Sequence, residues 1–410
     1  MRILIIGGRG FVGRHTTAAL MAAGHDVETP SRTELDLAKM DTAALHARLA
    51  GVDAVINCAG LVAGGAMDAV HHRGVETLLQ AASAAGIRRL IHVSALGASP
   101  DGKTRYQRTK GAGEEALRAH PDGTLPECCV LRPSVIIGRG GASTAILSAL
   151  SALPVTPLIG AGRVQPIHIS DVTALVVRLA EGNKPPPRFL DVTGPEPMDI
   201  DAVAAVLGRW LGRPVRFTLR MPARLLDAMA VIGGIFPRSP LNPETLAMLR
   251  RGNTANADGI TRILGRPPRP LAEALALDPA DSADRQAARA YFLRPLLRIS
   301  LALMWIATGL LSFGLYPLEK SYGLMAEIGL TGFPADMALF GAAALDTLLG
   351  ALLLIGWRPV AVGAVQLAAM AAFTLLAAWL PAEYWLHPFA PLLKNLPIAA
   401  ATLVMMALED

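Results

Sequence analysis

Along the first 200 residues, short apolar runs alternate with stretches whose apolar positions recur every three or four residues. Residues 2–6, "RILII", form a continuous aliphatic run, the pattern of a strand buried on both faces. Gly7, Gly10 and Gly13 follow at three-residue spacing, and a helix is predicted from Phe11 to about Ala23, ended by Gly24. "HDVETPSR", "DAVINCAG", "IRRLIHVSA" and "ECCVLRPSVIIG" repeat the strand pattern, with "GVETLLQAASAAG" as an amphipathic helix among them. Such alternation predicts an α/β fold, a doubly wound parallel sheet of Rossmann type. "DVTGPEPMDIDAVAAVLGRWLGRP" reads as strand, turn and a helix opening near Asp199 with Leu207 and Leu211 on one face, part of a substrate lobe within about 142–275.

Beyond residue 298 the pattern changes. Four nearly uncharged apolar stretches, about 299–316, 335–356, 359–380 and 390–408, are each long enough to cross a hydrocarbon layer of about 30 Å. Trp305, Tyr316, Trp357, Trp379, Tyr384 and Trp385 gather towards their ends, as interfacial aromatics do. The expected organisation is an α/β domain over 1–280, a polar arginine-bearing linker over 281–297, and a four-helix transmembrane bundle over 298–410. "MPARLLDAMAVIGGIFP" (221–237) is apolar but too short to span; it either lies on the membrane surface or covers a substrate pocket.

Composition sharpens this picture. The 410 residues are 52% hydrophobic, and residues 299–410 carry a net charge of −4 against +9 for the preceding 298. A basic soluble part beside an apolar tail suits anionic ligands or a phospholipid surface. No basic run is interleaved with aromatics, so nucleic acid is not an expected partner. Arg285, Arg289, Arg294 and Arg298 precede the first span and Arg358 lies in the second turn between spans, whereas the other connections hold Lys320 among Glu319, Glu327, Asp336 and Glu383. The positive-inside rule then places a multi-pass protein in the inner membrane, with both termini and the α/β domain cytoplasmic. The absence of a signal-peptide pattern after Met1 agrees. Cys58, Cys128 and Cys129 offer neither a disulfide framework nor metal-ligand spacing, and with only His71-His72 as a weak candidate no metal site is expected. Asp346 stands alone in mid-span, where a carboxylate needs a partner or a function; Lys394 is the expected partner in a structural clasp, a proton or quinone site the alternative.

The glycine turn between a strand and a helix is built for a pyrophosphate: one glycine permits the turn, one admits the phosphate, one lets the helix pack on the sheet. Ser31 and Arg32 end the second strand, where an NAD site normally has a carboxylate, and Arg9 lies in the turn. Two guanidiniums there favour NADP(H) over NAD(H), with Glu28 keeping NAD open. Tyr106 and Lys110 stand four apart on a helix, so that the lysine can lower the phenol's pKa and hold a ribose while the tyrosine moves a proton. Ser94 is a candidate assistant and Ser99 a loop alternative; Asp171 is read as a helix cap and His168 as an interior histidine.

"GGRGFVG", "NCAG", "HVSALGA", "YQRTK" and "LRPSVIIG" resemble, in order and spacing, the extended or atypical short-chain dehydrogenase/reductase superfamily. "PLIGAGRVQPIHISDV" and "NPETLAMLRRGN" are similar to the branch that includes the NAD(P)H-binding accessory subunit of mitochondrial complex I; the likeness covers about residues 1–275. It implies hydride chemistry, and cofactor contacts at Gly7, Arg9, Gly10, Phe11, Val12, Gly13, Arg32, Asp36, Ala59, Gly60, Tyr106, Lys110 and Pro133. The chain departs from the family at Ala95 and Leu96, where active members carry a Ser or Thr, and at His72, which stands at the usual place of a helix asparagine. "SLALMWIATGLLS", "LMAEIGLTG" and "LLKNLPIAAATLVMMALED" resemble the DoxX-like four-helix membrane proteins, over about 295–410. Together these imply a membrane-anchored NAD(P)(H) oxidoreductase acting on a lipophilic carbonyl, alcohol or quinone. The alternatives are a weakly active assembly or sensor module docked to a membrane redox complex, and epimerase or dehydratase chemistry on the same scaffold.

Overall fold

The computed structural model describes residues 1–120, 126–160, 162–235, 242–377 and 392–409. Trp379, Glu383, Tyr384 and Trp385, expected near span ends, lie outside the described residues. The chain divides into two units, Met1–Ala288 and Arg289–Asp410.

In the first unit, β1 (Arg2–Ile6) leads through the glycine turn into α1 (Phe11–Ala22), then β2 (Asp26–Glu28), α2 (Thr42–Arg48) and β3 (Ala54–Asn57). After a π turn at Ala69–Arg73 come α3 (Gly74–Ala84), β4 (Arg89–Val93), α4 (Arg105–Ala119), β5 (Glu127–Pro133), α5 (Ala142–Ala152), α6 (Ile169–Glu181) and β6 (Phe189–Val192). The six strands form one sheet in the order β6-β5-β4-β3-β1-β2, every pairing parallel. Side chains alternate across it with the strand period of two. Ile3 and Ile5 join Leu20, Val172 and Leu175 on one face, and Leu4 and Ile6 join Leu45, Leu78 and Leu117 on the other. The chain turns to β2 on one side of β1 and to β3 on the other, and that reversal opens a crevice at the strands' carboxyl ends.

The lobe is built from α5, α7 (Ile200–Trp210), α8 (Ala223–Ile235), α9 (Pro243–Arg251), α10 (Asp258–Leu264) and α11 (Leu271–Ala276), with short two-stranded pairs between them. Asp199 is the N-cap of α7, and Leu207 and Leu211 are buried. Leu147, Val164, Val203, Leu207 and Leu271 make the lobe's own core.

The connector predicted over 281–297 is helical: α12 runs from Ser282 to Leu310, carrying the arginines directly into the first apolar span. The second unit continues with α13 (Leu318–Glu327), α14 (Phe333–Ile355), α15 (Pro359–Ala377) and α16 (Asn395–Leu408). Three helices among the described residues are long and apolar enough to span, over Ser282–Leu315, Phe333–Ile355 and Pro359–Leu376; the described part of the fourth, α16, is a shorter apolar helix. Small residues set the packing. A Cβ at Gly350 would lie 2.7 Å from the Ala302 carbonyl oxygen, and one at Gly309 would lie 2.6 Å from that of Ala343, so α12 and α14 touch backbone to backbone. Trp305, expected at an interface, is buried in the bundle core with Leu349, Val362 and Met405.

Candidate functional site

The glycine turn is shaped by close approach. Gly7 has φ +75°, and a Cβ there would lie 2.8 Å from the Ala59 nitrogen. A Cβ at Gly13 would lie 2.2 Å from the Gly7 carbonyl oxygen, so α1 can lie this close to the turn only with glycine. Gly10 is the N-cap of α1 and supplies no side-chain cap, which leaves the first N–H groups of a 12-residue helix facing outwards. Beside them lies a cleft of about 400 Å³ lined by Gly7, Arg9, Gly10, Ser31, Arg32, Asp36, Ala59, Gly60 and Leu61. The uncapped helix end, the cradle a Cβ would fill and the two arginines fit a dinucleotide pyrophosphate and its adenosine ribose. Arg32 Nε lies 3.4 Å from Asp36 Oδ2. Glu28 is held by Arg2 and Arg48 and does not line the cleft. Phe11 and Val12, expected as contacts, pack inwards: both lie against the sheet core, and the Phe11 ring also meets the edge of His15. Pro133 ends β5 and accepts from the Leu96 nitrogen at 2.9 Å, outside the cleft lining.

At the other end of the crevice, α4 begins with a capping box, Thr104 and Gln107, which fixes its first turn. Gly111 lets α4 press on the Ser99–Pro100 backbone, and Gly113 lets it press on the His71 carbonyl. Lys110 and His71 thereby come to the edge of Gly60, with Tyr106 behind His71. The Lys110 ammonium donates to the Val93 carbonyl at 2.9 Å and lies 3.4 Å from where a Gly60 Cβ would be. Burial pushes Lys110 down to about 8, against the opposing pull of Cys58 and Glu114. Burial pushes the half-buried Tyr106 phenol up to about 12, so the expected lowering by its lysine is not what this geometry produces: the ammonium is turned to Val93.

A residue that sequence reasoning missed completes the cluster. The His71 ring stands edge-on to Tyr106, centroids 5.7 Å apart. Its Nε2 accepts from the Leu61 nitrogen at 2.9 Å, so Nδ1 carries the proton and donates to Thr109 Oγ1 at 2.9 Å. Burial and then the Lys110 charge push His71 down to about 3, so it is neutral. The sequence pointed to His72, but the π turn over Ala69–Arg73 rotates the helix face by one residue. His72 instead turns out to Asp68 and Glu76.

Two family matches account for most of the chain. Residues 3–191 match the NAD dependent epimerase/dehydratase family, and residues 302–403 match the DoxX-like family. A (4-alkanoyl-5-oxo-2,5-dihydrofuran-3-yl)methyl phosphate reductase of Streptomyces griseus is 31% identical over 227 residues, 52% of this chain and 76% of that protein. The chain belongs to the NAD-dependent epimerase/dehydratase family. A ceramide reductase of Caulobacter vibrioides is 32% identical over 43% of this chain, and the complex I subunit "NADH dehydrogenase [ubiquinone] 1 alpha subcomplex subunit 9" of Arabidopsis thaliana is 28% identical over 55%. The chain spans 59% and 61% of the lengths of those two relatives. The structure of Thermus thermophilus UDP-glucose 4-epimerase with NAD superposes with a TM-score of 0.53 at 17% identity, over 70% of this chain and 99% of that one, a likeness of fold. The protein thus joins an NAD(P)-binding domain of short-chain dehydrogenase/reductase type to a DoxX-like membrane domain.

Within the dehydrogenase-type domain, the Ser94 hydroxyl is committed to another partner. Its Oγ donates to Glu114 Oε1 at 2.6 Å, and Glu114 is the buried partner of Arg132. Ser99 is occupied too, its Oγ accepting from the Asp101 nitrogen. Asp171 is fully buried in the first turn of α6, but it holds Arg266 and the Arg269 nitrogen; the α6 cap is the His168 ring, which accepts from the Ser170 nitrogen. Burial pushes the three thiols Cys58, Cys128 and Cys129 up to about 12, which disfavours their thiolate forms. Among the described residues no group of three or more His, Cys, Asp or Glu side chains gathers for a metal.

In the DoxX-like domain, the expected Asp346–Lys394 pair is not made. Asp346 is buried mid-way along α14 with Oδ1 unpartnered, and Lys394 is exposed before the first turn of α16. Asp346→Leu is therefore expected to raise the Tm of the purified protein by about 2–4 °C, the shift of roughly 1 kcal/mol from removing an unmatched buried carboxyl oxygen. A fall in Tm would reveal a partner.

Lys110 has a pH signature. Between about pH 8 and the ordinary lysine value, the unfolded chain binds a proton there that the folded chain does not, so stability rises with pH through that window. Lys110→Met is expected to flatten that rise and to stabilise the domain at pH 7 while impairing the site. An unchanged slope in thermal unfolding between pH 7.5 and 10 would show that Lys110 is not the titrating group.

Proposed function

We propose that the protein is an NADPH-dependent reductase of a lipophilic carbonyl or quinone, with its α/β domain on the cytoplasmic side of the membrane that its helices span. The observation that carries the reading is the cluster of Tyr106, Lys110 and His71 at the Gly60 edge of the cleft. When bound, the nicotinamide supplies hydride to the carbonyl carbon. Tyr106 donates its phenolic proton to the carbonyl oxygen, and Lys110, bonded to the Val93 carbonyl beside Gly60, would hold the ribose. His71 stays neutral and fixes the 61 loop and the Tyr106 turn. Arg9 and Arg32 favour the 2′-phosphate, with Glu28 withdrawn to Arg2 and Arg48. A ceramide reductase among the relatives supports a lipid-soluble substrate. Arg298 beside Gly356, with its ion pair to Glu409, groups the basic run, the α14–α15 turn and the chain end on one side, the arrangement of a cytoplasmic face.

Two measurements test this. Detergent-solubilised full-length protein should oxidise NADPH with long-chain ketones or quinones as acceptors, and much more slowly with their water-soluble analogues; the opposite ranking would overturn the lipophilic assignment. Arg32→Ala should weaken NADPH binding about tenfold, the loss of one charge-assisted contact, and leave NADH within twofold. Equal effects on both cofactors would return the preference to NAD.

The second reading, an assembly or sensing module docked to a membrane redox complex, is favoured by Ser94, whose hydroxyl is committed to Glu114. Bound NADPH that no acceptor oxidises would select it.

A further inference from the structure

The helix α8 is apolar on two faces. Leu226 and Ala230 are buried against Leu246, Ile159 and Met221, which is how the helix is held to the lobe. Leu225, Met229 and Ile232 recur at i, i+4 and i+7 and face outwards. Just before α8, the strand Thr218–Arg220 pairs with Thr156–Leu158, and it too presents apolar side chains outwards. Exposure across these residues runs from 42% at Met229 to 67% at Phe217, far above that of a pocket lid packed on its own domain. Around them stand Arg216, Arg220 and Arg224, all exposed and without a carboxylate partner among the described residues. The acid in the outer part of α8, Asp227, is neutralised by Arg250 at 2.7 Å.

We infer that this face, α8 with Phe217 and Leu219, docks on the surface of an anionic bilayer, the apolar stripe entering the acyl boundary and the three arginines meeting phosphate headgroups. Apolar side chains beside a cluster of basic ones are the composition of an interfacial element. The occupant is favoured by charge and by covalent linkage: the same chain carries lipid-spanning helices, so a bilayer is present at high effective concentration. Lipid explains both the apolar stripe and the arginines, whereas a lid over the substrate pocket would bury the stripe. Docking holds whether or not the site turns over, so it stands apart from the redox reading.

The test uses full-length protein in nanodiscs of neutral lipid or of lipid with one-third phosphatidylglycerol. An environment-sensitive fluorophore is placed at Ile232→Cys, and at Ala47→Cys on exposed α2 as a control, both in protein whose three native cysteines are replaced by serine or alanine. The expected result is a blue-shifted emission at position 232 that acyl-chain spin labels quench at least twofold more than at 47. The difference should grow with anionic lipid and shrink towards the neutral-lipid value in Arg216→Glu/Arg220→Glu/Arg224→Glu. Equal quenching at both positions in both lipids would overturn the inference. So would a blue shift without lipid quenching but with energy transfer between copies, which would assign the face to a second chain. Quenching insensitive to lipid charge and to the triple substitution would refute the role of the arginines.

Discussion

Tyr106→Phe is expected to lower kcat for NADPH-dependent carbonyl reduction by about 10²–10⁴-fold, the range a positioned proton donor contributes. NADPH affinity should stay within twofold, because among the described residues the phenol hydroxyl makes no bond that holds the crevice together, and Tm should hold, because the ring contact with His71 survives the change. The phenol's high pKa sharpens the expectation. With Tyr106 pushed up to about 12, the free enzyme holds it protonated throughout the physiological range, ready to donate, and reduction should show no loss of activity from its ionisation below about pH 9. Stopped-flow oxidation of NADPH, native against variant, checks both statements. A variant that retains full turnover would move the proton donor elsewhere in the cluster.

The second large effect concerns stability. Glu114 is buried in α4 between Ser94 Oγ and the Arg132 guanidinium of β5. Arg132→Met leaves that carboxylate buried with only a serine, and removal of one partner of a buried ion pair costs about 3–5 kcal/mol. The Tm of the dehydrogenase-type domain should fall accordingly. Adding Glu114→Met should recover most of it, since two apolar residues need no mutual charge. If the double variant is no better than the single one, the pair contributes through packing rather than charge.

Much of the site was readable from local spacing. The Gly7, Gly10, Gly13 turn and the Tyr106–Lys110 pair each lie within one turn or one helix, so their geometry follows from φ/ψ limits and the helical repeat. His71 was not readable, because the π turn adds a residue to one helical turn and exchanges which of two adjacent histidines faces inwards. Ser94 was misjudged for another reason. Its partner Glu114 is 20 positions away along the chain, and Glu114's own partner, Arg132, lies a further 18 on, so the three meet only in the folded domain. At Phe11 and Val12 the helix turns both side chains towards the core, which leaves their first-turn backbone groups to meet a ligand.

In the second unit, hydropathy alone marked the apolar stretches, since a helix in lipid must be apolar nearly all round. It could not assign partners. Whether a mid-span carboxylate meets a lysine depends on where helices cross and how far each has risen, and the close approach at Gly309 and Gly350 sets that for α12 and α14. By itself, then, the order of residues determined the parallel sheet, the glycine turn, the one-turn spacing of Tyr106 and Lys110 and the apolar helices, all properties of short-range periodicity. Only the tertiary structure decided that His71 joins the pair, that Ser94 serves an ion pair, that Asp346 and Lys394 do not meet and that α8 shows apolar residues to the outside. Those outcomes depend on which distant side chains compete for the same few ångströms, and no local pattern encodes that competition.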